Sequence, residues 1–257
     1  MTDFIIYDKV RGDREGGGIA IAARNHLNPV LIAEGDSDVE AISIDNHPSK
    51  LVISCTSAYG LQQKHSASKK PKFWEYLDNI ANSAWSEGKG FHLQGDLNAW
   101  KGSEVIPCDP NIQNFNGKLF HNFLKRHPEL TVVNSLPVCR GLITRQRNLN
   151  NGKKEQSIID FVVVCSRVLP FITEMVIDEA NTHITTNYTQ SKHNVKAVNS
   201  DHNTQFVKMN IHVIPHREKK REIYNFKNIK CQKEFKRGTE KAPEFSSCLN
   251  SRKSYFS

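Results

Sequence analysis

Short runs of alternating apolar and polar residues dominate the first 60 positions of the chain. Phe4–Tyr7, Gly18–Arg24, Val30–Ala33, Val39–Ile44 and Leu51–Ser57 are rich in β-branched residues and separated by turn formers, which predicts strands. The period then changes. After Pro71, residues Phe73, Leu77, Ile80, Ala81 and Ala84 recur at helical spacing, and a proline suits a first turn where its missing N–H costs nothing. A second helical period near Gly117–His127 carries Leu119, Phe120, Phe123 and Leu124. Each helix is followed by a strand candidate, Phe91–Gly95 and Leu130–Asn134, and further strands are predicted at Ser157–Cys165, Thr173–Asp178 and Phe206–Val213. Asn181–Ser200 is polar and rich in Thr and Asn, which predicts a long loop. No repeat of about 20–50 residues is present, which argues against a solenoid. The pattern is a strand-rich α/β protein with helices laid over sheets, residues 1–214, followed by a tail, residues 215–257.

The composition permits a core but relocates the charge. At 257 residues the length suits one large domain or two small ones, and 38% hydrophobic with 24% charged residues excludes collagen, a disulfide mini-protein and a coiled coil. The net charge of +8 is unevenly spread. Residues 1–210 hold 23 basic and 22 acidic side chains, whereas residues 211–257 hold 12 and 5. The body is nearly neutral, and the basic tail suits nucleic acid, an anionic surface, or plain solvation. Six cysteines at 55, 108, 139, 165, 231 and 248 form no CxxC pair, so no structural zinc site is indicated and a reducing compartment is expected. No basic n-region precedes an apolar stretch at the start, and the run Ile158–Cys165 is broken by Asp160 and far too short to cross a bilayer. The expectation is an intracellular chain with no membrane association, and no protein partner can be inferred.

Four strand ends carry polar groups. In Phe91–Trp100, a strand runs into Gly95 and then delivers Asp96 and Asn98, which share one face of an extended chain. Strand ends are where open sheets place ligands, although an Asx-rich turn needs no function. Ser200–Asn203 sets Asp201 beside His202, a carboxylate next to a group titrating near neutrality. Asp160 interrupts an otherwise buried strand, so it needs a hydrogen-bonding or cationic partner, and His202 would serve. The alternative is that Asp160 caps backbone at a strand edge. Tyr59 ends the strand Ile53–Tyr59, where it could bond a phosphate oxygen or simply pack. If these ends converge, their oxygens suit Mg²⁺ and a phosphate substrate.

The order of these segments resembles the endonuclease/exonuclease/phosphatase family, which includes deoxyribonuclease I, apurinic-site endonucleases and inositol polyphosphate 5-phosphatases. Thr56-Ser-Ala-Tyr59 resembles the strand ending in the catalytic-site tyrosine, Gly95-Asp-Leu-Asn98 the GDFN motif, Ser157-Ile-Ile-Asp160 the SxID strand, and Ser200-Asp-His202 the terminal SDH. Gly16-Gly-Gly-Ile-Ala-Ile21 is similar to the glycine-rich strand of the retroelement branch, the non-LTR retrotransposon endonucleases. Gly141-Leu-Ile-Thr144 is similar to that branch's substrate-contacting Thr segment, and Arg221–Asn228 with Cys231–Phe235 to its linker toward reverse transcriptase.

The resemblance implies a four-layer α/β/β/α sandwich of two mainly antiparallel sheets and a Mg²⁺-dependent endonuclease, with Mn²⁺ as a substitute. Its substrate would be DNA, or RNA, and as a retroelement enzyme it would be nuclear. His202, oriented by Asp160, would contact the scissile phosphate or take a proton from water. Asp96 would position and activate the water, with Asn98 orienting Asp96 or the phosphate. Tyr59 would stabilise developing charge, Asp201 would help bind the metal, and Thr144 would contact substrate. Family members carry an Asn strand, a helix and a strand with a metal-binding Glu upstream of the glycines, but only 15 residues precede Gly16 here. The resemblance therefore implies an N-terminally incomplete domain, weak or inactive without that Glu, and Glu15 is out of place to supply it. A non-catalytic remnant binding nucleic acid, or a phosphatase or RNA nuclease of the same fold, are the alternatives.

Overall fold

The computed structural model describes residues 3–10, 18–36, 38–48, 50–62, 68–102, 112–149, 152–180, 182, 187–190, 195–198 and 200–211. The expected basic tail, residues 215–257, and with it the linker-like segments, lies outside the described residues, as do Gly16 and Gly17. Every described residue falls in one compact unit, Met1–His216.

A hairpin opens the chain, β1 (Phe4–Val10) against β2 (Gly18–Arg24). Next come β3 (Val30–Glu34), β4 (Glu40–Asn46) and β5 (Ile53–Tyr59), paired antiparallel in turn. Helix α1 (Lys69–Ser86) leads to β6 (Gly90–Asp96), which lies parallel to β5. Helix α2 (Phe115–Arg126) leads to β7 (Leu130–Val132). A short β8 (Cys139–Arg140) precedes the hairpin of β9 (Arg145–Asn148) and β10 (Lys154–Ser157). Strand β11 (Asp160–Cys165) then inserts between β6 and β7, antiparallel to both, completing a six-stranded sheet in the order β3-β4-β5-β6-β11-β7. A second, three-stranded sheet joins β8, β12 (Ile172–Ile177) and β15 (Gln205–Met209), with β12 central. The expected mixed α/β fold, two main sheets flanked by two helices, is therefore what the structure shows.

The helices are held by the apolar stripe that predicted them. Phe73, Trp74, Leu77, Ile80, Ala81 and Ala84 of α1 are buried, as are Phe120 and Phe123 of α2. Trp74 stacks on Phe120 at 5.4 Å between ring centroids, and Phe120 meets Phe161 of β11 edge-on at 4.9 Å. Burying such side chains contributes about 1.5–3 kcal/mol each, so the aromatic cluster fixes the helices against β11 and holds that strand in register. Pro71 is the third residue of α1 rather than its opening one, which costs nothing because the first four N–H groups of a helix lack intrahelical partners.

Three predicted segments differ. The single strand expected at Ser157–Cys165 is two, because the chain changes partners at Ile158–Ile159: Ser157 still pairs with β9, the Ile159 and Asp160 N–H groups bond the Thr144 hydroxyl, and β11 then pairs with β6 and β7. The loop expected over Asn181–Ser200 contains a hairpin, β13 (Asn187–Gln190) against β14 (Val195–Val198). The strand expected at Leu130–Asn134 gives way after Val132 to a 3-10 turn, Val133–Ser135.

On the sheet face opposite the helices, β1–β2 packs on β4 and β5 and borders a cavity of about 650 Å³ lined in part by Phe4, Ala22, Cys55, His92 and Gln94. The His92 Nε2 atom is buried there with no hydrogen-bond partner.

Candidate active site

Adjacent strands end at one place. Asp160, the first residue of β11, pairs directly with Asp96, the last of β6. Tyr59 ends the neighbouring parallel strand β5. Close approach of these strands requires Gly95, whose φ is +153°; a Cβ there would come within 2.0 Å of the Ala58 carbonyl oxygen.

Beyond Asp96 the chain turns back on itself. Asn98 adopts a left-handed φ of 47°, tolerable for Asn, which places its backbone N–H 2.8 Å from Asp96 Oδ1. Its side-chain amide donates to the Gly60 carbonyl at 2.8 Å and to Asp96 Oδ2 at 3.2 Å. The turn is pinned from outside by Asn114, the N-cap of α2. Its Oδ1 accepts from the N–H groups of Gly117 and Trp100 at 2.7 and 3.1 Å, while its amide donates to the Asn98 carbonyl at 3.0 Å. One side chain thus caps the helix and locks the Asp96–Trp100 segment.

His202 closes the site from the other side. Its backbone bridges Arg145 of β9, and its Nδ1 lies 3.0 and 3.1 Å from the two oxygens of Asp160. An ionised carboxylate only accepts, so Nδ1 carries the proton and Nε2 faces the pocket. Nε2 lies 3.9 Å from Asp96 Oδ2 and 3.8 Å from Asp201 Oδ1. Burial works against the imidazolium, but the hydrogen bond and charge of Asp160, with Asp96 and Asp201 adding, hold the His202 pKa above its ordinary value. Burial, reinforced by the charge of Asp160, pushes the Asp96 carboxyl up to about 7 against the lowering effects of Asn98, His202 and Arg145.

Asp160 is held through its backbone. Thr144 Oγ1 accepts from the N–H groups of Ile159 and Asp160 at 2.9 and 3.1 Å. Asn134 and Gln205 donate side-chain amide N–H groups to the Asp160 carbonyl at 3.2 and 2.9 Å. Segments distant in the chain therefore fix the carboxylate that orients His202.

Tyr59, Asp96, Asn98, Asp201 and His202 line a common polar pocket of about 490 Å³, with Asp160 behind the imidazole. Gln62 donates to the Tyr59 hydroxyl at 2.9 Å. Asp201 Oδ2 accepts from both Nε and Nη2 of Arg145 at 2.9 Å, leaving Oδ1 toward His202. Thr144 does not reach the pocket. It is fully buried, and its hydroxyl is committed to the backbone ahead of Asp160. Arg145, Trp100, Asn114 and Gln62 also line the pocket and were not singled out from the sequence. The available signal was Arg145 itself, an Arg directly after Thr144; the amide residues carry none, because their partners are remote in sequence.

The donor set can hold a divalent cation. Ligand atoms of Asp96, Asp160 and His202 lie within 4.8 Å of one another. Burial, with the facing charge of Asp160 added, raises the Asp96 pKa, and a cation between the two carboxylates would offset that repulsion.

No family model matches the sequence, and no curated protein matches it. Solved structures do match. The endonuclease domain of TRAS1, a telomere-specific non-LTR retrotransposon, aligns over 82% of this chain and 82% of its own, with 18% identity and a TM-score of 0.53. The 3′-5′ exonuclease NExo of Neisseria meningitidis covers 80% of each chain at 14% identity and TM-score 0.56. This chain has the endonuclease/exonuclease/phosphatase fold. A mannosyl-6-phosphatase of Bacteroides thetaiotaomicron matches at 12% identity and TM-score 0.52, over 81% of this chain and 78% of its own. The endonuclease/exonuclease/phosphatase fold is thus shared here with enzymes named for different phosphoesters, and the retrotransposon domain is one match among several of similar identity. Among the described residues, no helix is long and apolar enough to cross a membrane.

Proposed function

We propose that this chain is a metal-dependent phosphodiester hydrolase acting on DNA, an endonuclease of the non-LTR retrotransposon branch, working in the nucleus, with residues 1–214 as its domain and the basic residues 215–257 as a tail. The supporting observation is the polar pocket in which Tyr59, Asp96, Asn98, Asp201 and His202 meet, with Asp160 on His202 Nδ1. Held by the carboxylates of Asp96 and Asp160, Mg²⁺ or Mn²⁺ would supply charge to the scissile phosphate and acidify a bound water, leaving His202 Nε2 free for the reaction. Asp160 fixes the imidazole tautomer and stabilises its protonated form, so His202 presents Nε2 to the phosphate or accepts a proton from water. Asp96 positions that water, and Asn98 holds Asp96 through two hydrogen bonds. Tyr59 offers its hydroxyl to developing charge. Asp201 faces His202 through Oδ1 and holds Arg145 through Oδ2. Thr144 acts through the backbone of Asp160.

The test is nicking of supercoiled plasmid by purified protein in Mg²⁺ or Mn²⁺. Activity abolished by chelation and by His202→Ala supports the reading. Release of phosphate from monoesters with plasmid left intact makes the chain a phosphatase. No hydrolysis of either substrate by the metal-supplemented protein makes it a non-catalytic member of the fold.

A further inference from the structure

The pocket poses an electrostatic problem for the phosphate that the hydrolase reading, on which this inference rests, brings to it. Asp96 and Asp201 line it as acids, and a phosphodiester approaching them is repelled. Among the residues lining the pocket, Arg145 is the one arginine or lysine. Its side chain is 19% exposed, enough to reach the pocket but too little to wander. Nε and Nη2 both bond one oxygen of Asp201, so one edge of the guanidinium is clamped while the rest of the fork is directed by that clamp. Glu155 Oε1 stands 3.5 Å from Nη1, a longer pairing than the one to Asp201. The backbone adds rigidity. Arg145 bridges His202, and the Gln146 N–H donates to the Asp201 carbonyl at 2.8 Å.

We propose that Arg145 is a phosphate-contacting residue of this site and that Asp201 is its positioning residue. A guanidinium fork matches the oxygens of a phosphate in a way an ammonium does not, and clamping the group beforehand removes most of the ordering cost of binding. The ligand class is a phosphate ester or its inorganic phosphate product.

The experiment is calorimetric titration of the full chain with inorganic phosphate in Mg²⁺, alongside hydrolysis kinetics on bis(p-nitrophenyl) phosphate. Arg145→Met is expected to weaken phosphate binding at least tenfold and to raise KM more than it lowers kcat. Arg145→Lys, which keeps the charge and loses the fork, is expected to fall between, and it serves if the methionine variant does not fold. Glu155→Gln is expected to bind as the wild type does. Asp201→Asn is expected to weaken binding several-fold, and to add nothing further in an Arg145→Met background. Wild-type phosphate affinity in a folded Arg145→Met or Arg145→Lys protein overturns the assignment, and additive losses in the double variant overturn the role of Asp201. The two readings fail separately. Plasmid nicking with Arg145 variants of normal phosphate affinity defeats only this inference, and phosphate binding lost with Arg145 in a protein that hydrolyses nothing defeats only the hydrolase.

Discussion

Asp96 and Asp160 face each other across the antiparallel pair β6–β11, two carboxylates set side by side at the ends of adjacent strands. With burial, that pairing raises the Asp96 pKa to about 7. The unfolded chain gives up this proton near pH 4, whereas the folded metal-free protein keeps it to neutrality, so stability is lost as pH rises from about 4 to 7. Asp96→Asn removes the loss. The variant is expected to be more stable than wild type above pH 7, by on the order of 2–4 kcal/mol, and to match it near pH 4. Urea unfolding across pH checks this, and equal pH profiles for the two proteins would refute it. Saturating Mg²⁺ should recover the same stability in the wild type and far less of it in the variant.

The Asp160–His202 contact gives a second prediction that does not depend on turnover. Asp160 supplies both the hydrogen bond and the largest charge holding the His202 pKa up. In Asp160→Asn the imidazole should therefore titrate at lower pH, read directly by NMR of the ring. Nicking should fall by about 10²–10⁴-fold in Asp160→Asn and in His202→Ala, the range expected for removing a positioned proton carrier or its orienting partner. An unchanged titration in Asp160→Asn would mean that the carboxylate does not control the ring.

Much of this site is legible in the sequence, for a physical reason. Asp160 stands at the head of the apolar run Phe161–Cys165, Asp96 follows the alternation of Phe91 and Leu93 with polar neighbours, and Tyr59 ends a strand of alternating burial, so each polar group stands at a strand end that the pattern marks. The hairpin of β9 and β10, Arg-Gln-Arg-Asn against Lys-Glu-Gln-Ser, has no apolar alternation, because it is held by its pairing and packs little side chain into the core. That hairpin carries Arg145. Thr144, beside it, reads as a substrate contact by resemblance, yet its role is decided by where the Ile159 and Asp160 N–H groups lie after folding. Asn134, Gln205 and Asn114 are invisible for the same reason. Their hydrogen bonds join segments that only the topology brings together.

His92 gives an acid dependence of opposite sign to that of Asp96. Burial beside the cavity under β1–β2 pushes its pKa down to about 4, and its Nε2 has no partner to support a charge. The unfolded imidazole titrates near 6.5, so this contribution is fully present above about pH 6.5 and is lost as pH falls toward 4. Its size is about 1–3 kcal/mol for a side chain only half-buried by surface area. His92→Leu should abolish this acid loss and, by filling part of the cavity, raise the melting temperature at pH 5 more than at pH 8. A variant that melts like the wild type at both values would rule out a buried neutral imidazole. Because Asp96 and His92 act in opposite directions over the same window, the wild-type curve alone separates neither, and the single variants separate both.

Thr144→Val isolates the backbone support of Asp160 from every group in the pocket. Valine matches threonine in shape but offers no acceptor, so the N–H groups of Ile159 and Asp160 lose a buried partner. Each unsatisfied group costs about 1–3 kcal/mol, and the expected loss in the variant is about 2–4 kcal/mol by urea unfolding. Asp160 should move with its backbone, since Asn134 and Gln205 hold only its carbonyl. The His202 titration should therefore fall toward that of Asp160→Asn, although Thr144 never touches the imidazole. Thr144→Ser keeps the hydroxyl and is expected to restore both stability and titration. If Thr144→Val lost stability but left the His202 titration at its wild-type position, Thr144 would be a core residue with no part in orienting the site. A direct substrate contact predicts the reverse pattern, normal stability and normal titration with a raised KM.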